Sequence, residues 1–248
     1  MIKYGLKLWT SNEDLFDAAT ASYNARDFDF IELYYNIDQP LNFDQLEKIS
    51  KLPINMHVPN SLGFDKFIIK GPELSVWQKI VSLSDLFRSE FIIVHPGYGH
   101  TVVTFRANLK MIDDPRILIE NMPGLDASGQ PMYAARMSEL VDIKKVKDIC
   151  YDFEKAVKAA AYQGLDYKAY IAESLLELKP KYFHISGGDS SSPKDEHSDL
   201  WESGIDYLWI KQKLSDLATA QDIFLVFEVP KKDGLLNDLK NIKYFKSL

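Results

Sequence analysis

Tyr182-Phe183-His184-Ile185-Ser186-Gly187-Gly188 is a short apolar run that ends on a histidine and enters a glycine-containing loop, with Lys194-Asp195-Glu196-His197 just beyond it. Five other apolar runs end on a histidine or a carboxylate: Ile54-Asn55-Met56-His57, Phe91-Ile92-Ile93-Val94-His95, Ile117-Leu118-Ile119-Glu120, Asp148-Ile149-Cys150-Tyr151-Asp152 and Phe224-Leu225-Val226-Phe227-Glu228. Short apolar runs between helical patterns read as buried parallel strands. Residues two apart on a strand share a face, so His95 lies with Phe91 and Ile93, Glu120 with Leu118, and Glu228 with Phe224 and Val226. Taken singly, a strand-end histidine is ordinarily a hydrogen-bonded structural residue, and a strand-end glutamate is solvated or paired with a lysine. Six consecutive strands ending in His, His, Glu, Asp, His and Glu point instead to one convergent site.

Working outward from these runs, residues 4–10 and 28–34 supply two earlier strands. The remaining strands are 53–57, 91–95, 116–120, 148–152, 181–186 and 223–229. Helical patterns intervene at 11–25, where Ser11 is the expected cap, and at 43–52, 71–87, 101–111, 137–144, 155–178 with a break near Gly164, 207–218 and 235–248. Eight strand-helix alternations with short connections imply parallel strands and right-handed crossovers. At this length they predict a single-domain (β/α)8 TIM barrel over residues 1–248, with its active site at the strand C-terminal ends. An open doubly wound sheet is the alternative; no glycine-rich phosphate loop follows the first strand to support it. The loop 121–132, with Pro123, Gly124, Gly129 and Pro131, is long enough to reach over a site.

Composition narrows the setting. The chain has 248 residues, a formal net charge of -7 and one cysteine, Cys150. A single cysteine excludes an intrachain disulfide and suits a reducing, cytoplasmic location. No signal-peptide pattern and no run of membrane-spanning length is evident. The acidic balance argues against broad nonspecific affinity for nucleic acid, while leaving room for a local basic groove. Oligomeric state is left open, a homo-oligomer included.

Imidazoles and carboxylates without thiolates suit a divalent metal such as Zn2+ or Mn2+. Six strand-end ligands exceed the needs of one catalytic ion. Glu120, on a middle strand, is placed to bridge two: one with His57 and His95, the other with Asp152, His184 and Glu228. Asp195 and His197 offer part of a third site, so the expected complement is one to three ions.

Here the residues match a family. The chain resembles the xylose-isomerase-like TIM barrels, which include endonuclease IV and the sugar isomerases and epimerases. The resemblance covers nearly the whole chain and rests on His57-Val58-Pro59, His95-Pro96-Gly97, Glu120-Asn121 with Gly124, Asp152, His184, Asp195-x-His197 and Glu228. In endonuclease IV the corresponding pattern holds three zinc ions and cleaves the DNA backbone at abasic sites. Eight of its nine ligand positions carry over. The ninth does not, because the Asp-x-x-His motif reads Asp152-Phe153-Glu154-Lys155 here.

Lys155 then either supplies a fixed positive charge paired with Asp195 and facing a substrate phosphate, or points to solvent from the first turn of its helix. The isomerase and epimerase branch needs only Glu120, Asp152, His184 and Glu228. There the resemblance implies one ion binding two sugar oxygens, with Glu120 and Glu228 as catalytic residues exchanging protons through an enediolate. Because that set is complete, the sequence favours a sugar or sugar-phosphate isomerase or epimerase. A zinc phosphoesterase like endonuclease IV, the reading under which nucleic acid is a partner, stands close behind. A degenerate barrel that binds a sugar or scaffolds a partner is disfavoured by the intact strand-end set. Trp9 and Tyr98 are candidate apolar walls for the substrate, and Glu32 is assigned a structural role, as are Trp77, Trp201 and Trp209.

Overall fold

The computed structural model describes residues 1–60, 72–96, 107, 109 and 114–248. Eight parallel strands close into a barrel in sequence order: β1 (Ile2–Trp9), β2 (Phe30–Tyr34), β3 (Ile54–His57), β4 (Ile92–Val94), β5 (Ile117–Glu120), β6 (Asp148–Asp152), β7 (Tyr182–Ile185) and β8 (Ile223–Phe227). The helices among the described residues are α1 (Phe16–Asn24), α2 (Phe43–Glu47), α3 (Pro72–Leu86), α4 (Met137–Lys144), α5 (Phe153–Gln163), α6 (Tyr167–Leu178), α7 (Tyr207–Leu217) and α8 (Leu236–Ser247). The expected TIM barrel is therefore present. Apart from residues 107 and 109, the helix expected at 101–111 lies outside the described residues, as does the candidate wall Tyr98.

Local chemistry explains where these elements begin and end. Asn42, Asp152, Asp166 and Asp206 cap α2, α5, α6 and α7, each side chain accepting from a backbone N–H three residues on. Gly164 stops α5 in a left-handed conformation, φ 68°. One expectation fails: Ser11 caps nothing. The chain first makes a 3-10 turn at Glu13–Leu15 and α1 starts only at Phe16, without a side-chain cap. Asn12 instead turns its Oδ1 back to accept from the Trp9 backbone N–H at 2.9 Å, a local side-chain bond that competes with capping.

Strand parity divides the core in two. Residues such as Leu6, Leu8, Ile31, Leu33, Ile119, Tyr151, Phe183 and Leu225 face the helices and are buried there. The alternate positions fill the barrel, beginning with Phe30, Phe91, Ile93, Leu118, Cys150, Tyr182, Phe224 and Val226. Phe91 packs edge-on against both Tyr182 and Phe224, with ring centroids 5.1 Å apart in each pair. Gly5 makes room for this floor, since a Cβ there would lie 2.4 Å from the Phe30 ring. Above the floor the inward positions turn polar.

Candidate metal and catalytic site

The inward positions near the strand C-termini are Lys7, Glu32, His57, Glu120, Asp152 and His184, with His95 and Glu228 one residue beyond their strands. All eight are buried. Burying this many charged groups is costly unless they are paired or hold an ion. Their geometry supplies the pairing and leaves donor sets that could hold an ion.

Glu120 sits at the centre. Its Oε2 faces His95 Nε2 at 2.6 Å and His57 Nε2 at 3.3 Å. Its Oε1 faces His184 Nδ1 at 3.0 Å and also meets the Lys155 ammonium. Burial would raise the Glu120 carboxyl, but Lys155, His95 and His184 hold it well below the usual range. Burial pushes the His95 imidazole down to about 4 against Glu120, with Lys155 adding to the effect, so the ring is neutral near pH 7 with one nitrogen unprotonated.

Asp152 divides its carboxylate between two tasks. Oδ1 caps α5 by accepting from the Lys155 backbone N–H at 2.9 Å. Oδ2 is buried and accepts no hydrogen bond, with Lys155 Nζ 3.5 Å away. Asn121 clamps the same residue from both sides, accepting from the Asp152 N–H at 2.6 Å and donating to its carbonyl at 2.9 Å. Burial lifts the Asp152 carboxyl to about 7, and Glu120, Glu228 and Asp195 add to the rise against Lys155.

Glu228 meets the Lys7 ammonium and lies 2.9 Å from His184 Nδ1. Asp195 and His197 sit on the loop after β7, their side chains 3.1 Å apart, with His197 Nδ1 3.6 Å from Glu228 Oε2. That loop folds back tightly. Gly187 and Ser198 form a two-way backbone bridge, and a Cβ on Gly187 would fall 2.3 Å from the Asp199 carbonyl. His197 takes a left-handed φ of 52°. Glu154 holds it there, accepting the N–H groups of Glu196 and His197 at 2.9 and 3.1 Å and the Ser186 hydroxyl.

All eight sequence-predicted ligands are therefore brought together. Groups able to hold an ion, with ligand atoms within 4.8 Å of one another, are His57–His95–Glu120, Glu120–Asp152–His184–Glu228, Glu32–His57–His184–Glu228 and Glu154–Asp195–His197. The orphaned Asp152 Oδ2 and these donor sets fit a divalent cation bound by nitrogen and oxygen.

Lys155 corrects one expectation. It does not point to solvent: it is 2% exposed and turned onto Glu120 and Asp152. Burial alone would lower its pKa, but those two carboxylates hold it well above the normal range. Lys7 and Glu154 were missed as participants, and Glu32, given a structural role from the sequence, lies in the barrel paired with Lys7 at 3.2 Å. Parity was the available signal for Lys7 and Glu32. Lys7 lies in register with Glu32 on the barrel-facing side, the face opposite Leu6 and Leu8. Nothing local marked Glu154 beyond its place next to Asp152.

A cavity of about 660 Å3 opens over the site, lined by Trp9, Tyr34, His57, His95, Lys155, His197 and Glu228, among others. Trp9 lines this cavity, and Lys231 stands over its ring at 5.5 Å. A smaller cavity of about 290 Å3 shares His95, Lys155 and Asp195 and extends along the loop past Met122, Leu125 and Met132. No helix among the described residues is long and apolar enough to cross a membrane.

No family profile and no curated protein sequence matches the chain. Its fold does have relatives among solved structures. Endonuclease IV from Thermus thermophilus superposes with a TM-score of 0.73 at 17% identity, covering 99% of this chain and 98% of that one. A xylose isomerase domain containing protein from Salmonella typhimurium gives 0.63 at 13% identity over 99% and 94% of the two chains. D-psicose 3-epimerase from Clostridium cellulolyticum gives 0.50 at 12% over 97% and 89%. The chain shares its (β/α)8 fold with these structures, the kind of barrel that the sequence resemblance implied.

Proposed function

We propose that this chain is a divalent-metal-dependent enzyme that hydrolyses phosphate esters, with Glu120 bridging two ion positions. One observation carries this reading: the two oxygens of Glu120 face different histidine sets, His57 with His95 on one side and His184 on the other. Divalent ions held there would polarise a phosphoryl oxygen and make bound water nucleophilic at neutral pH.

The chain's own residues supply the rest. His57, His95 and Glu120 would hold one ion; Asp152, His184 and Glu228 would hold the other, with Asp195 and His197 beside it. Lys155 and Lys7 place positive charge beside the carboxylates, where a phosphoryl group must approach. Trp9 and Tyr34 form one wall of the cavity and exclude water from one side of the substrate.

Sugar isomerisation or epimerisation, favoured by the sequence, is the second reading. It is supported by the grouping of Glu120, Asp152, His184 and Glu228 around a single candidate ion position. It asks Glu120 and Glu228 to accept protons from carbon. Each lies against an ammonium group and an imidazole that stabilise its anionic form, which suits a ligand better than a general base.

The test is purification with metal analysis, followed by assay on bis(p-nitrophenyl) phosphate and on abasic-site DNA. Two ions per chain with phosphoester cleavage supports the proposal. One ion per chain, with deuterium exchange from solvent into a ketose and no cleavage, overturns it in favour of the second reading.

A further inference from the structure

Beneath the candidate ligands lies a buried polar layer that this reading does not yet use: Glu32, Tyr182 and Lys7. Glu32 is fully buried, and its Oε2 accepts from Tyr182 Oη at 2.9 Å and faces His184 Nε2 at 2.7 Å. Its Oε1 lies 3.2 Å from Lys7 Nζ, which in turn reaches Glu228. His184 therefore has its two ring nitrogens assigned to opposite sides. Nε2 meets a single carboxylate below; Nδ1 faces Glu120 and Glu228 above at 3.0 and 2.9 Å.

We infer that Glu32 is a positioning residue, which by accepting the His184 Nε2–H fixes the imidazole as the tautomer that presents its Nδ1 lone pair to a divalent ion. The inference rests on the metal site of the proposed function, though not on the reaction performed there. A histidine that binds a metal through one nitrogen commonly donates its other N–H to a carboxylate, which sets ring orientation and raises ligand strength.

Glu32 also falls within a group able to hold an ion directly, with His57, His184 and Glu228. Its surroundings argue against that role. One oxygen already takes two donors, the Tyr182 hydroxyl and the His184 Nε2–H, and the lining of the cavity above includes His57, His197 and Glu228 but not the fully buried Glu32. By contacting both Glu32 and Glu228, Lys7 fixes the separation of the carboxylates on either side of His184. Strands β1, β2 and β7 carry Lys7, Glu32 and His184, and Glu228 directly follows β8 with its N–H donating to the Ile185 carbonyl at 2.9 Å, so the arrangement is held by paired backbone.

The test uses the full chain loaded with Zn2+, with nitrogen-15 NMR of the histidine side chains and zinc affinity by chelator competition. In the wild type, His184 is expected to show a protonated Nε2 and a zinc-bound Nδ1. Glu32→Gln is expected to weaken zinc binding by about 10- to 100-fold. Tyr182→Phe, which removes the other donor on the same oxygen, is expected to stay within about twofold and controls for general disturbance of the buried layer. Zinc bound through Nε2, unchanged affinity in Glu32→Gln, an equal loss in Tyr182→Phe, or no zinc binding at all would each overturn the inference. Failure of phosphoester cleavage alone would leave these readouts intact and sink only the proposed reaction.

Discussion

Lys155 places an ammonium group among carboxylates that otherwise suit a divalent ion, held by Glu120 and Asp152. Removing one partner of a buried pair costs about 3–5 kcal/mol, because the other charge is left unmatched. Lys155→Met should therefore lower the melting temperature of the metal-free protein. It should also enlarge the stabilisation given by added Zn2+ or Mn2+, since the ion no longer competes with the ammonium for those oxygens. Thermal melts with chelator and with metal check this; an ion-induced shift equal to the wild type's would refute it.

Asp238 offers a test away from the site. It is buried on α8, its Oδ1 meets Lys231, and its Oδ2 accepts no hydrogen bond. Burial lifts its carboxyl to about 6 against Lys231, and burial lowers the Lys231 ammonium. Both shifts say that desolvation outweighs pairing. A carboxyl whose folded pKa is raised contributes stability that is present below its unfolded value near 4 and lost as pH rises through about 6. Asp238→Asn should therefore gain on the wild type between pH 4 and 7, by roughly 1–3 kcal/mol. Parallel pH profiles of the two proteins would contradict this.

Among the elements, α5 shows how one residue serves both fold and site. Asp152 ends β6, caps α5 and leaves its second oxygen toward the ion position. Asparagine caps as well as aspartate but carries no charge, whereas alanine loses the cap at about 1 kcal/mol. Asp152→Asn should keep the metal-free melting temperature at or above the wild type's while weakening metal binding. Asp152→Ala should lose both, and calorimetric unfolding with metal titration separates the two. The loop after β7 is held from the same helix, through Glu154 on the backbone of Glu196 and His197 and Lys158 on the Glu196 side chain at 2.7 Å. This explains why an exposed loop can carry Asp195 and His197 in a fixed place.

For the whole molecule, the inner layer sets the carboxylates of Glu32, Glu120, Asp152 and Glu228 against the ammonium groups of Lys7 and Lys155. With Asp152 ionised and the imidazoles neutral, as ligation would require, this leaves two negative charges for a divalent ion to offset. Without an ion, burial would lower the His184 imidazole, but Cys150, Glu228, Glu32 and Glu120 hold it well above the usual range. Chelation should therefore lower the melting temperature, and restoring an ion at about 100 times its Kd should return roughly 2.7 kcal/mol. A melting temperature indifferent to chelator and to metal would mean that the lysines alone balance the site.

The strand ends at His57, His95, Glu120, Asp152, His184 and Glu228, and hence the barrel and most of the candidate site, were legible in the sequence. The reason is local: strand periodicity assigns each residue a face, and a parallel barrel sends every strand end to one rim. Parity along the strand could place Lys7 and Glu32 inside the barrel, but their partners, and the inward turn of Lys155, were decided only by the tertiary structure. A lysine on a short strand or in a first helical turn has the same sequence signature whether it meets water or a buried carboxylate. The partners that hold Lys7 come from β2 and β8, and those that hold Lys155 from β5 and β6. Closing the barrel is what brings Glu228 to within reach of Lys7, and no spacing along the chain encodes that contact.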